Sequence, residues 1–144
     1  MMASLYDMDV LAWSIEQAAL LRERRWSALD IENLAEEIED VGNSVRRELG
    51  SRMAVLIAHL LKWQFQPQLR SKSWLKTMQV QRASIARQLG KVPSLKGALT
   101  DDDWRQEVWD DALVLAINDT GLHEFPDMPI WTSAQIPDPA FLPR

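Results

Sequence analysis

The central segment of the chain carries four ionisable side chains that could act together. They are Glu48, Arg52, His59 and Lys62. Their spacing places them on one narrow polar seam of an otherwise apolar helix. A histidine can serve as general base when a carboxylate orients its ring, and Glu48 or Glu37 could supply that carboxylate. His59, Glu37 and Glu48 are therefore the catalytic candidates, although a single helical histidine is more often a hydrogen-bonded structural residue.

Other routes to catalysis find little support in the sequence. The chain has no cysteine, which excludes thiol nucleophiles, disulfides and Cys-ligated zinc or iron–sulfur sites. Neither a nucleophile elbow nor a Gly-rich phosphate loop is present. No Glu-x-x-His pair suits a di-iron bundle, so Glu32, Glu36, Glu39 and Asp40 are interpreted as a solvated acidic face. We expect no metal, no cofactor and, on balance, no enzyme.

A second set of charges suggests binding rather than catalysis. Arg82 falls inside the apolar stripe of the fourth predicted helix, where we expect it to meet Glu36 or Glu37. Basic residues on the opposite face could contact phosphates, or could be an ordinary solvated surface. Together with the seam, this gives the binding candidates Arg52, Lys62, Arg82, Lys72, Lys76, Arg87 and Lys91.

The charge of the chain is segregated along its length. The formal net charge is −5, but residues 1–50 carry −6, residues 51–100 carry +9 with no acid, and residues 101–144 carry −8. In one interpretation the acidic arms fold back and neutralise the middle. In the other, a basic face stays open to nucleic acid or another anionic partner.

The elements that must position these residues are helical almost throughout. Apolar periodicity predicts an all-α, single-domain bundle of about five helices over residues 1–144. Asp7 should cap the first helix, Gly42-Asn43 should end or bend the second, and Thr100 should cap the fifth. The predicted spans are about 8–25, 31–41, 44–66, 71–89 and 100–121. A Pro-rich tail over 122–144 should pack along the bundle.

The seven tryptophans are the unusual figure in the composition. Most should pack in the core, whereas one or two exposed ones would mark a partner surface. The start of the chain lacks the basic region of a signal peptide, and its longest apolar run, 53–61, is far shorter than a membrane span. We therefore expect a cytoplasmic protein that does not bind membranes.

Several blocks of the chain together resemble a known family. They are Tyr6-Asp7-Met8-Asp9, Glu32-Asn33-Leu34-Ala35-Glu36-Glu37-Ile38-Glu39, His59-Leu60-Leu61-Lys62-Trp63-Gln64, Arg70-Ser71, Ser73-Trp74, Pro93-Ser94-Leu95-Lys96 and Thr120-Gly121-Leu122. The chain is similar over nearly its whole length to domain of unknown function family 29. The resemblance implies a small, all-helical bacterial protein and brings no established activity. The tail departs from the family pattern, because Met128-Pro129-Ile130-Trp131-Thr132 stands where a Cys-Pro-aromatic-Thr segment is expected.

Three functional hypotheses remain open at this point. The first is a non-enzymatic interaction or regulatory module that binds a protein partner or a second copy of itself. The second is nucleic-acid binding through the basic fourth helix. The third is an enzyme whose site gathers His59 and Arg82.

Overall fold

The computed structural model describes residues 3–144 and contains only helices, turns and irregular segments over that range, which confirms the all-α prediction. The α-helices are α1 (Leu5–Met8), α2 (Val10–Arg22), α3 (Ile31–Phe65), α4 (Lys72–Lys91) and α5 (Asp102–Thr120). Short 3₁₀ helices occupy Trp26–Ala28, Pro67–Leu69 and Pro93–Thr100.

Helix starts follow side-chain caps, although two of them differ from the prediction. Asp9, and not Asp7, caps the long N-terminal helix, because its carboxylate accepts a hydrogen bond from the amide of Ala12 at 3.0 Å. Asp7 instead lies inside the separate turn α1. At α5 the cap is Asp101 rather than Thr100, since the Asp101 carboxylate accepts from two amides of the first turn.

The prediction that a helix ends at Gly42-Asn43 is wrong. The helix continues through both residues, so the predicted second and third helices are one element, Ile31–Phe65. Ending a helix at a glycine requires the left-handed conformation, which Gly121 adopts after α5 with φ of 73° and Gly42 does not. A glycine inside a helix costs about 1 kcal/mol, and α3 continues through Gly42 despite that cost.

The chain separates into two compact units, Met1–Ser44 and Val45–Arg144. The boundary falls inside α3, between Ser44 and Val45. Each unit has its own buried residues. The expectation of a single domain stays a prediction.

The C-terminal unit contains a large apolar core. Helix α3 supplies the largest share of its buried side chains, and α4, the 3₁₀ helix Pro93–Thr100, α5 and the tail contribute the others. Gly50 lies against α5, where an added Cβ would stand 3.3 Å from Cγ2 of Val108. The tail packs on this core as predicted, because Phe125, Trp131 and Ile136 are all buried.

The N-terminal unit is held together by few buried residues. Trp13, Gln17 and Leu20 of α2 are buried in it. Trp13 donates its indole N–H to Asp30 at 2.9 Å, and its ring meets that of Tyr6 edge to face at a centroid distance of 4.7 Å. The interior of this unit is therefore largely a polar network around one tryptophan.

Candidate functional site

The polar seam on the central helix does not act as one site. Arg52 pairs with Glu48 at 3.1 Å along the helix surface. His59 lies further along, half-buried, with Nδ1 at 2.8 Å from the carbonyl oxygen of Val55. Helical spacing put these residues on one face, but their hydrogen-bond partners differ.

Lys62, at the end of the seam, is buried and has a carboxylate partner. Its Nζ lies 3.0 Å from Oδ2 of Asp119 on α5 and 5.3 Å from the ring centre of Trp74. Both contacts favour a charged ammonium in an enclosed position. Lys62 therefore serves the packing of α3, α4 and α5. No local sequence pattern joins Lys62 to Asp119, because the two residues lie 57 positions apart.

The two carboxylates considered as orienters of His59 have other hydrogen bonds. Glu48 binds Arg52, and Glu37 accepts a hydrogen bond from the Tyr6 hydroxyl inside the N-terminal unit. That bond to Glu37, aided by partial burial, raises the pKa of Tyr6 to about 12. The His59 ring is oriented by a main-chain carbonyl instead.

A polar cleft between α3 and α4 brings together four of the predicted site residues. Its volume is about 250 Å³, and Glu48, Arg52, Arg87 and Lys91 line it. Three cations against one carboxylate give this cleft an excess of positive charge. Such an arrangement favours a small anion or a phosphate group.

The wall of the cleft also holds an unpaired acceptor. Gln88 donates Nε2 to the carbonyl of Val45 at 3.0 Å, which fixes the orientation of its amide. Its Oε1 is buried and has no hydrogen-bond partner among residues 3–144. Arg87 Nη2 donates to Ser84 Oγ at 3.1 Å, so that hydroxyl can orient its own proton toward an acceptor. The Ser84 hydroxyl thus gives the cleft a hydrogen-bonding group besides its charges, whereas the Gln88 oxygen is enclosed in the wall.

The remaining basic residues of α4 do not join this cleft. Lys72 and Lys76 are exposed near the start of the helix, outside the set of residues that lines it. The predicted basic face therefore divides into a cleft at the C-terminal end of α4 and two solvated lysines at its N-terminal end.

Arg82 is buried, and the hydrogen bonds of its guanidinium go to the tail of the same unit, while the expected pairing with Glu36 or Glu37 of the N-terminal unit stays a prediction. Its Nε donates to the carbonyl oxygen of Ile136 at 3.0 Å, and its Nη2 donates to that of Phe141 at 2.8 Å. Burial lowers the pKa of Arg82 from its ordinary value, with a smaller opposing effect of Asp138. Main-chain acceptors hold the guanidinium because the tail of the same unit packs over this residue.

The N-terminal unit exposes most of its large apolar side chains. The exposed side chains come from α1, α2, the 3₁₀ helix Trp26–Ala28 and the first part of α3. Trp26 is the most exposed tryptophan of the chain, at 58%. The exposed set is Leu5, Met8, Val10, Leu11, Ile15, Leu21, Trp26, Ile31, Ile38 and Val41.

Two further findings concern residues 3–144 as a whole. Within this range no three His, Asp or Glu side chains come together in a way that could hold a metal ion. None of the helices described here has the length and apolar character needed to cross a membrane.

Comparison with known proteins supplies a family. The family model described as "Domain of unknown function DUF29" matches residues 5–142, nearly the whole chain. The chain belongs to the DUF29 family. No curated protein matches it, and no solved structure does. The predicted resemblance to family 29 is thereby confirmed. Membership in DUF29 assigns no activity to any residue of the site.

The half-buried histidine of this DUF29 chain leads to a pH prediction. Burial holds the pKa of His59 below 6.5, the ordinary imidazole value, so the folded state favours the neutral ring. Below that pH the unfolded chain binds a proton that the folded chain resists, and stability falls as the pH drops through the lower folded value. His59→Gln removes the imidazole, so that uptake of this proton by the unfolded chain no longer lowers the stability. Urea midpoints at pH 7.5 and 5.5 should fall less for the variant than for the wild type, whereas equal losses would contradict the assignment.

Proposed function

We propose that this protein is a non-enzymatic interaction module whose N-terminal unit binds a protein partner. The partner contributes a basic amphipathic helix to the interface. The observation that carries the proposal is the imbalance within that unit. Ten large apolar side chains are exposed there, while Trp13, Gln17 and Leu20 are its buried side chains among residues 3–44. Exposed apolar surface of this kind marks interaction sites in soluble proteins.

The docking surface that we favour is the apolar stripe of α3, defined by Ile31, Ile38 and Val41. These side chains are each about two-thirds exposed. At 100° per residue they fall within one 80° sector, the width of a helix-packing face. An amphipathic helix laid along such a stripe would bury its own apolar face against it.

The charge around the stripe favours a basic partner. Glu32 and Glu39 border one edge of the stripe on the helical wheel, and both are exposed. The whole segment 1–44 holds three arginines, no lysine and ten acids. Like charges would repel a second copy of this unit, whereas lysines or arginines flanking a partner's apolar face would be attracted.

The test is binding of a designed peptide to the full chain. The probe is a fluorescein-labelled amphipathic helix of leucine and lysine, and its matched counterpart replaces lysine with glutamate. We expect the Leu/Lys peptide to bind with an affinity that weakens with salt, and the Leu/Glu peptide to bind at least tenfold more weakly. Fluorescence anisotropy measures both.

Two substitutions locate the binding surface. Ile38→Asp should weaken Leu/Lys binding at least tenfold, because it places a charge in the centre of the stripe. Val114→Asp changes an equally apolar side chain, 58% exposed on α5, and should leave binding unchanged. Equal losses in both variants would contradict the assignment, and dimerisation that Ile38→Asp abolishes would replace the partner with a second copy.

A second candidate function is binding of nucleic acid through the polar cleft. The observation that favours it is the convergence of Arg52, Arg87 and Lys91 on one cleft with a single carboxylate. Random-sequence single strands and duplexes should bind at 50 mM salt and much more weakly at 200 mM, because phosphate contacts release counterions. Arg87→Gln should reduce this binding, while Lys96→Gln, an exposed cation outside the cleft, should not.

A further inference from the structure

A groove in the C-terminal unit runs between α4 and the tail. We name it the tail groove; its volume is about 580 Å³, within the range of small-molecule sites. Apart from Gln79 and Arg82, its walls are apolar. Those apolar residues are Leu75, Met78, Ala83, Ala86, Pro137, Pro139 and Leu142.

Arg82 places a cation in this apolar setting. The residue is only 6% exposed, and two of its three guanidinium nitrogens donate to main-chain carbonyls of the tail. Over residues 3–144, no carboxylate lies within 4.0 Å of the guanidinium. The hydrogen bonds of the guanidinium therefore go to main-chain dipoles, and the carboxylate of Asp138 acts on its charge only from beyond 4.0 Å.

The third guanidinium nitrogen is left for a ligand. Nη1 of Arg82 donates no hydrogen bond within residues 3–144. It is nevertheless not fully enclosed by the protein. Nη1 thus keeps access to open space, and the tail groove is an open space that Arg82 lines. A buried positive charge with a free N–H attracts an anionic acceptor more strongly than an exposed arginine does.

We propose that the tail groove binds an amphiphile with one anionic head and an alkyl body. The head, a carboxylate or a phosphate, would accept from Nη1 of Arg82. The alkyl chain would lie along Leu75 and Leu142, which line the groove and are each about 40% exposed, with the buried Met78 beneath it. This site is separate from the docking stripe, so the two proposals fail or stand independently.

The test uses three amphiphiles of equal chain length on the full protein, below their micelle concentrations. Dodecanoate and dodecyl phosphate carry the two anionic heads, and dodecyltrimethylammonium carries a cation. Isothermal titration should show one saturable site for at least one anion, with the cation at least tenfold weaker. The tighter anion identifies the head. The ¹³C-methyl resonance of Met78 should shift on binding.

A pair of tryptophan substitutions on α4 locates the site without disturbing Arg82. Ala86→Trp fills the groove and should weaken binding of the anion at least tenfold. Val80→Trp adds the same side chain at an exposed position of α4 outside the groove and should bind like the wild type. The proposal is overturned if neither anion binds, if the cationic amphiphile binds as tightly, or if both variants bind alike.

Discussion

Trp109→Ala should lower the free energy of unfolding by about 3–5 kcal/mol, the usual cost of truncating a buried aromatic side chain. Trp109 is fully buried, and its ring meets that of Trp131 edge to face at 5.5 Å. Its indole N–H donates to the carbonyl oxygen of Pro126 at 2.8 Å. The substitution therefore leaves a cavity and an unpaired carbonyl at the point where α5 meets the tail.

The matched control for Trp109→Ala is the same substitution at Trp26. That side chain is more than half exposed, so Trp26→Ala should change the free energy of unfolding by no more than about 0.5 kcal/mol. Urea denaturation followed by far-UV circular dichroism measures both variants. Equal losses of unfolding free energy at the two positions would contradict the stabilising role of Trp109 in the core.

Arg82→Met should destabilise the chain by about 3 kcal/mol and loosen the end of the tail. Methionine keeps much of the side-chain volume but cannot donate to the carbonyls of Ile136 and Phe141. Hydrogen bonds from a charged donor contribute about 1.5–3 kcal/mol each, and a buried carbonyl that loses its donor is costly. The effect should be greatest on the tail, which these two bonds fasten to α4.

Hydrogen exchange separates a local effect from general unfolding. The amides of Ile136 and Phe141 are hydrogen-bonded to Thr132 and Asp138 within the tail, so they report on its order. In Arg82→Met these amides should exchange faster than the core amides of α3. Arg87→Met, a similar change at an exposed arginine of α4, should leave them protected. Unchanged exchange in Arg82→Met would contradict the role of the guanidinium.

Local signals in the sequence predicted the helices well, because periodicity and caps depend on neighbouring residues. The predicted spans of about 71–89 and 100–121 correspond to α4, which Ser71 caps, and to α5, which Gly121 ends. The break at Gly42 was wrong because a glycine permits a helix end without requiring one. Whether the helix stops there depends on what lies on either side over many residues.

The site could be predicted only in part, for a similar reason. Glu48 with Arg52 and Arg87 with Lys91 are each i,i+4 pairs, which the sequence shows directly. That the two pairs face one another across a cleft depends on how α3 and α4 pack. The true partners of Arg82 were beyond reach because they are main-chain oxygens, which every residue carries and no side-chain pattern reveals.

The two hydrogen bonds from Arg82 to the tail do not depend on the side chains of the residues that accept them. The two acceptors are peptide oxygens, which stay in place whatever side chains stand at positions 136 and 141. A change of side chain at either position therefore leaves both hydrogen bonds possible, as long as the packing of the buried Ile136 and of Phe141 against the core is kept. The two hydrogen bonds thus depend on the side chain of Arg82 but only on the backbone at positions 136 and 141.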